Sequence, residues 1–164
     1  MFFAKKKSIL GVDIGTSYIK IAQVSYGNTP VIDTYGIVNV GSQIGAQNSE
    51  ASIRQTAAVL TDLLNRARVT TRRAVISLPN SAVFTSVIDM PRMPEADLAS
   101  AMQFEAKKYV PLPFSEVQLT WSIISDAPGT DFTKILLIAV PNHVMQNYKI
   151  LFDLAGLELE VVEI

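Results

Sequence analysis

The segment Ile9-Leu10-Gly11-Val12-Asp13-Ile14-Gly15-Thr16-Ser17-Tyr18-Ile19-Lys20-Ile21 constrains this chain more than any other. An apolar run reaches an aspartate, turns through a glycine and two hydroxyl residues, and leaves as a second apolar run carrying a lysine. Two short runs around such a turn predict a strand–turn–strand hairpin. Its chemistry suits phosphate and a divalent cation. The turn supplies backbone N–H groups and hydroxyls for phosphate oxygens, the lysine adds a point charge, and the aspartate can hold metal-bound water. A Walker loop is excluded, because that requires G-x-x-x-x-G-K-(S/T) leading into a helix. By residue type alone, the segment is equally a plain hairpin with an edge aspartate.

The rest of the chain is core-rich. Hydrophobic residues make up 49% and charged residues 18% of 164 positions, enough for one domain or two small lobes. A net charge of −1 gives no support to a nucleic-acid surface. The absence of cysteine excludes disulfides and thiolate metal sites. The single histidine, His143, leaves little room for a zinc site or a Ser-His-Asp triad, and after Asn142 it reads as a solvated first-turn residue. The densest apolar run, Ile135–Val140, meets Pro141 far short of the ~20 residues of a spanning helix. Met1-Phe2-Phe3-Ala4 precedes Lys5-Lys6-Lys7, the reverse of a secretory leader. This leader reads as solvated, with at most weak contact with anionic lipid, in a cytosolic chain.

Strands at Ile9–Ile14, Ile19–Val24 and Val31–Val38 form an expected meander, followed by a polar loop from Gly41 to Asn48. Ser49 then opens a helix with Ile53, Ala57, Leu60, Leu64 and Ala67 at helical spacing. Ala74–Leu78 is a short strand stopped by Pro79. From Ser81 the pattern restarts. A strand at Val83–Asp89 is broken by Met90-Pro91-Arg92-Met93-Pro94, and a helix runs over Glu95–Val110 with Pro94 in its first turn. Glu95 and Asp97 favour that helix end, and Pro111-Leu112-Pro113 stops the helix. Val117, Leu119, Trp121 and Ile123 alternate on one face of a half-buried strand. Asp126–Gly129 turns, Phe132–Val140 returns, and Asn142 opens a last helix that ends at Gly156. Leu159–Ile164 is strand-like, and the chain is expected to be the N-terminal part of something longer.

The hairpin resembles the first phosphate motif of the actin-like ATPase superfamily, which includes actin, sugar kinases, heat-shock ATPases and FtsA. That resemblance implies that Asp13 organises Mg²⁺ through water, that Gly15, Thr16 and Ser17 face the phosphates, and that Lys20 neutralises them. A further stretch narrows the family. Phe104-Glu105-Ala106-Lys107-Lys108-Tyr109-Val110-Pro111-Leu112-Pro113-Phe114, then Glu116-Val117, accompanies Ile76-Ser77-Leu78-Pro79, Asp89-Met90-Pro91 and the lysine-rich leader. Together they closely resemble the PilM family, cytoplasmic actin-like components of the type IV pilus assembly platform.

The implied fold class is mixed α+β: half of an actin-like (ribonuclease H-like) lobe with an inserted β-α-β-β-α subdomain. Residues 1–79 correspond to subdomain 1A, with a return strand at about 158–164, and residues 80–157 to the inserted subdomain 1C. By the same resemblance, ATP and Mg²⁺ belong to the full-length protein, whose second lobe completes the nucleotide clamp. This stretch alone is expected to bind nucleotide weakly or not at all, and not to hydrolyse it. The implied partner is the N-terminal cytoplasmic tail of the membrane protein PilN, held in a groove between 1A and 1C. Val110, Leu112 and Phe114 are apolar candidates for that contact; the plainer reading is that they seat a helix on its sheet. Glu105 falls in an apolar stripe with Leu98, Met102 and Tyr109 and therefore needs a partner such as Arg92 or Lys108. Alternative readings are an FtsA-like division protein and the N-terminal part of an actin-like small-molecule kinase. Other pilus assembly proteins as partners, and self-association through the 1C sheet edge, stay open.

Overall fold

The computed structural model describes residues 7–41, 49–125 and 131–164. The leader through Lys6, most of the expected polar loop and the expected turn at Asp126–Gly129 lie outside the described residues. In chain order the elements are β1 (Lys7–Ile14), β2 (Tyr18–Tyr26), β3 (Val31–Asn39), α1 (Glu50–Arg66) and β4 (Arg73–Ser77). They continue with β5 (Phe84–Pro91), α2 (Glu95–Glu105), β6 (Val117–Ser125), β7 (Phe132–Pro141), α3 (Asn142–Leu154) and β8 (Glu158–Glu163). Two compact units result: residues up to Pro79 with Gln146–Ile164, and Asn80–Met145. The fold is mixed α+β. No helix among the described residues is long and apolar enough to cross a membrane.

The first unit carries a five-stranded sheet in the order β3-β2-β1-β4-β8. The meander β1–β3 is antiparallel, whereas β4 lies parallel to β1 and β8 parallel to β4. Alternation sorts the side chains by face. Leu10, Val12, Ile14, Ile19, Ile21, Ala74 and Ile76 form a buried face, each 4% exposed or less. The steps from β1 to β4 and from β4 to β8 advance in the same direction. Right-handed connections therefore place α1 and α3 on that one face. Gly11, Asp13, Lys20, Ala22, Val75 and Ser77 are left on the other.

Ser49 starts α1 with a capping box, accepting from Ser52 N at 3.2 Å while Ser52 Oγ accepts from Ser49 N. The buried stripe of α1 is Ile53, Thr56, Ala57, Leu60, Leu63 and Leu64. It lies close to β3 because position 36 is glycine: a Cβ there would sit 2.9 Å from Leu63 Cδ1. Ala67 caps the helix, and Arg68 follows in the left-handed region with φ +54°.

The second unit pairs β5-β7-β6 in an antiparallel sheet covered by α2. Its core joins Ile88, Met90, Ile135, Leu137 and Ala139 to Leu98, Met102 and Ala106. Three details depart from the sequence expectation. First, α2 ends at Glu105, and a single 3-10 turn, Ala106–Lys108, takes over. Pro111 disfavours helical backbone at Val110, so the chain tightens before reaching it. Second, β5 runs on to Pro91 instead of breaking at Met90; proline is tolerated at the end of an edge strand. Third, burial fades along β6, from Val117 (7% exposed) to Ile123 (50%). The ladder shifts just past Ile123.

Candidate functional site

The phosphate-type hairpin forms as expected between β1 and β2. Asp13 and Lys20 are register partners at its neck, with Lys20 Nζ 3.0 Å from Asp13 Oδ2. Both side chains are about half exposed, so the pair itself adds little stability. Gly15 N–H donates to Tyr18 O at 2.9 Å and closes the turn. A Cβ on Gly15 would lie 3.3 Å from that same oxygen, which accounts for the glycine. Its N–H is thus engaged inside the hairpin rather than presented outward. Thr16 and Ser17 are exposed, and among the described residues neither their N–H groups nor their hydroxyls bond within the chain. Val40 N donates to Ser17 O at 2.9 Å and ties the turn to the end of β3.

Parallel pairing extends this site beyond the hairpin. Asp13 is the register partner of Ser77 on β4, and Ser77 that of Glu163 on β8. Lys20, Asp13, Ser77 and Glu163 therefore form one polar row across four strands. A cavity of about 340 Å³ opens on that face and is lined by all four, with Gly11, Ala22 and Val75 as its apolar floor. Small side chains at Gly11 and Ala22 create the space. No group of three or more acidic, His or Cys side chains gathers among the described residues. Any cation here would keep most of its ligands as water or as oxygens of a bound anion. Nearby, Tyr148 on α3 is 5% exposed, and burial with the negative charge of Asp13 pushes its phenol up to about 12.

In the second unit, Val110 lies within the core at 7% exposure. It is withdrawn from any surface contact and seats the end of α2 on the sheet. Leu112 and Phe114 are half-buried against the same core. Phe104, by contrast, is 71% exposed. Lys107 Nζ lies 5.2 Å from the Phe104 ring centre and 5.9 Å from that of Phe114, bridging the two aromatics. Glu105 finds a partner in Lys108, at 2.8 and 2.9 Å, and their hydrogen bond raises the lysine's affinity for its proton.

Residues 11–164 match the family described as type IV pilus assembly protein PilM. The chain belongs to the PilM family. Among solved structures, it is similar to a PilM–PilN type IV pilus biogenesis complex, with TM-score 0.82 and 24% identity over 98% of this chain. It spans about half of that chain's length, 48%. It is also similar to the cytoplasmic domain of EpsL, an inner-membrane component of the type II secretion system of Vibrio cholerae. There the TM-score is 0.54, with 10% identity over 96% of this chain and 57% of that one. The likeness gives the chain an actin-like fold.

Seen as a PilM-family lobe, the site holds residues that the linear motif does not contain. Ser77 was visible only as part of Ile76-Ser77-Leu78-Pro79, and Glu163 only as part of a terminal strand. What joins them to Asp13 is the parallel order β1-β4-β8, which brings together positions more than sixty residues apart. Phe104 opens the stretch that carries the resemblance, without being singled out there as a contact. Its position on α2 lies away from the stripe of Leu98, Met102 and Ala106 that is buried.

Proposed function

We propose that this PilM-family chain is a cytoplasmic scaffold of the type IV pilus inner-membrane assembly platform, docking the N-terminal tail of PilN. In the longer protein, that docking is coupled to nucleotide state. The observation that carries this reading is the family match over residues 11–164. The PilM–PilN complex supports PilN as the partner. On the second unit, Phe104, Phe114 and Leu112 supply partly exposed apolar surface for an extended peptide, with Lys107 between the rings. Attachment to the inner membrane runs through PilN.

The nucleotide part rests on the hairpin. Thr16 and Ser17 would face ATP phosphates through N–H and hydroxyl, Lys20 would balance their charge, and Asp13 would hold Mg²⁺ through water. Such an arrangement stabilises phosphate charge and supplies no identified nucleophile. All these groups sit on one solvent-open hairpin, so this stretch by itself holds nucleotide weakly.

The test is a fluorescence anisotropy titration of a labelled PilN N-terminal peptide, with ATP·Mg²⁺ titrated in parallel by calorimetry. Saturable peptide binding that weakens roughly tenfold or more in Phe104→Ala is expected, since aromatic anchors dominate such contacts. Weak ATP binding lost in Lys20→Ala is the matching expectation. Strong nucleotide binding with no peptide binding would overturn the scaffold reading in favour of a small-molecule kinase.

A further inference from the structure

A larger cavity, about 840 Å³, opens at the opposite end of the five-stranded sheet, where β1 and β4 begin. Its floor is a built polar network. Gln23 is 4% exposed and accepts from Thr70 N at 2.8 Å, while its amide donates to Thr70 Oγ1 at 2.9 Å and to Asp33 Oδ2 at 3.1 Å. Ser25, also buried, donates to the same aspartate oxygen. Asp33 sits at the register shift of β3, which re-aims it toward Gln23 and Ser25.

The rim is cationic. Lys7, Arg68, Arg72 and Arg73 line the cavity, against Asp33 as its one carboxylate. Arg73 is paired with Glu160, Nη2 to Oε2 at 2.8 Å, which draws part of its charge to β8. Among the described residues, Lys7, Arg68 and Arg72 form no ion pair. Arg68 adds an independent observation. It occupies the position just past the α1 cap with φ +54°, where glycine is the relaxed choice. An arginine held there against local strain points to a use for its side chain.

We propose that this cavity is a binding site for a phosphate ester, contacted by Arg68, Arg72 and Lys7. These cations come from three segments: the C-terminal cap of α1, the approach to β4 and the start of β1. Convergence from several sides suits a tetrahedral phosphate better than a flat carboxylate, and guanidinium groups bind its oxygens in pairs. Buried Gln23, through its hydrogen bonds to Thr70, holds the approach to β4 in place beneath. Two sources carry this chemistry: a soluble phosphate ester, and the headgroup of an anionic phospholipid. The sequence Phe2-Phe3-Ala4-Lys5-Lys6 immediately before Lys7 has a composition suited to the second. The site is separate from the nucleotide hairpin and does not depend on it.

The experiment titrates the whole chain with sn-glycerol 3-phosphate by calorimetry, and separately with vesicles of phosphatidylglycerol or of phosphatidylcholine by co-sedimentation. Arg72→Gln and Arg68→Gly are compared with the parent chain. Glycine is at ease at a positive φ, so Arg68→Gly keeps or raises the melting temperature, and lost binding in it is not lost fold. Each variant is expected to weaken binding roughly tenfold, with strong salt dependence. Binding of the soluble ester lost in both variants supports the site with a soluble ligand. Binding of phosphatidylglycerol but not phosphatidylcholine, lost in both variants, supports it with a lipid headgroup. Binding of neither probe, equal binding by parent and variants, or equal binding of phosphatidylglycerol and phosphatidylcholine with no binding of the soluble ester overturns the proposal.

Discussion

Tyr148 shows how one residue links the candidate site to stability. Its phenol, raised to about 12 by burial and by the charge of Asp13, stays neutral in the folded chain where an unfolded tyrosine ionises. Below about pH 10 both states hold the proton, and the contribution to stability is whole. As pH rises through the interval up to about 12, the unfolded chain releases its proton first and stability falls. The expected loss is on the order of 2–3 kcal/mol. Tyr148→Phe should flatten that alkaline fall, measured as denaturant midpoint against pH. An unchanged slope would mean that Tyr148 does not cause it. At the same scale, Asp13, Thr16, Ser17 and Lys20 were legible because they are neighbours along one hairpin. Ser77 and Glu163 were not, because their place beside Asp13 depends on strand order.

Among the elements, helix starts were easier to read than helix ends. Ser49 opens α1 as its side chain requires, and Ser49→Ala should cost about 1 kcal/mol by removing the capping box. Urea denaturation reads this directly, and a change below a few tenths would mean the cap is replaced by water. The end of α2 was misjudged because Ala106, Lys107 and Lys108 are all good helix formers, so propensity alone continues the helix. Pro111 acts at a distance of several residues, through the backbone it forbids at Val110. The consequence is local: past the end of α2, Val110 packs into the core. Likewise, β5 tolerates Pro91 only because it is an edge strand, and edge status is a property of the sheet.

At the scale of the whole molecule, two cores stand in two units, and cutting one should leave a local signature. Leu137 is 2% exposed in the second unit. Leu137→Ala should cost about 2–5 kcal/mol. Native-state hydrogen exchange should place most of the lost protection in β5, β6 and β7, with β1 and β2 amides changed far less. An equal loss in both sheets would show instead that the units open together. Opposite ends of the first sheet also carry opposite chemistry. The outgoing end of β1 gathers Asp13, Lys20 and Glu163, while the incoming end gathers Lys7, Arg68 and Arg72.

The sequence by itself determined the elements, the hairpin and the family. These depend on local periodicity, turn residues and contiguous motifs, all of which act over a few residues. It predicted the meander, the capped helix and the returning strands without reference to any distant contact. Tertiary structure alone decided the row that joins Asp13 to Ser77 and Glu163, and which apolar residues of 104–114 reach the surface. It also decided the convergence of Lys7, Arg68 and Arg72 on one cavity. Each depends on strand order or on helix packing, in which residues far apart in the chain meet because burial of apolar surface outweighs local preference.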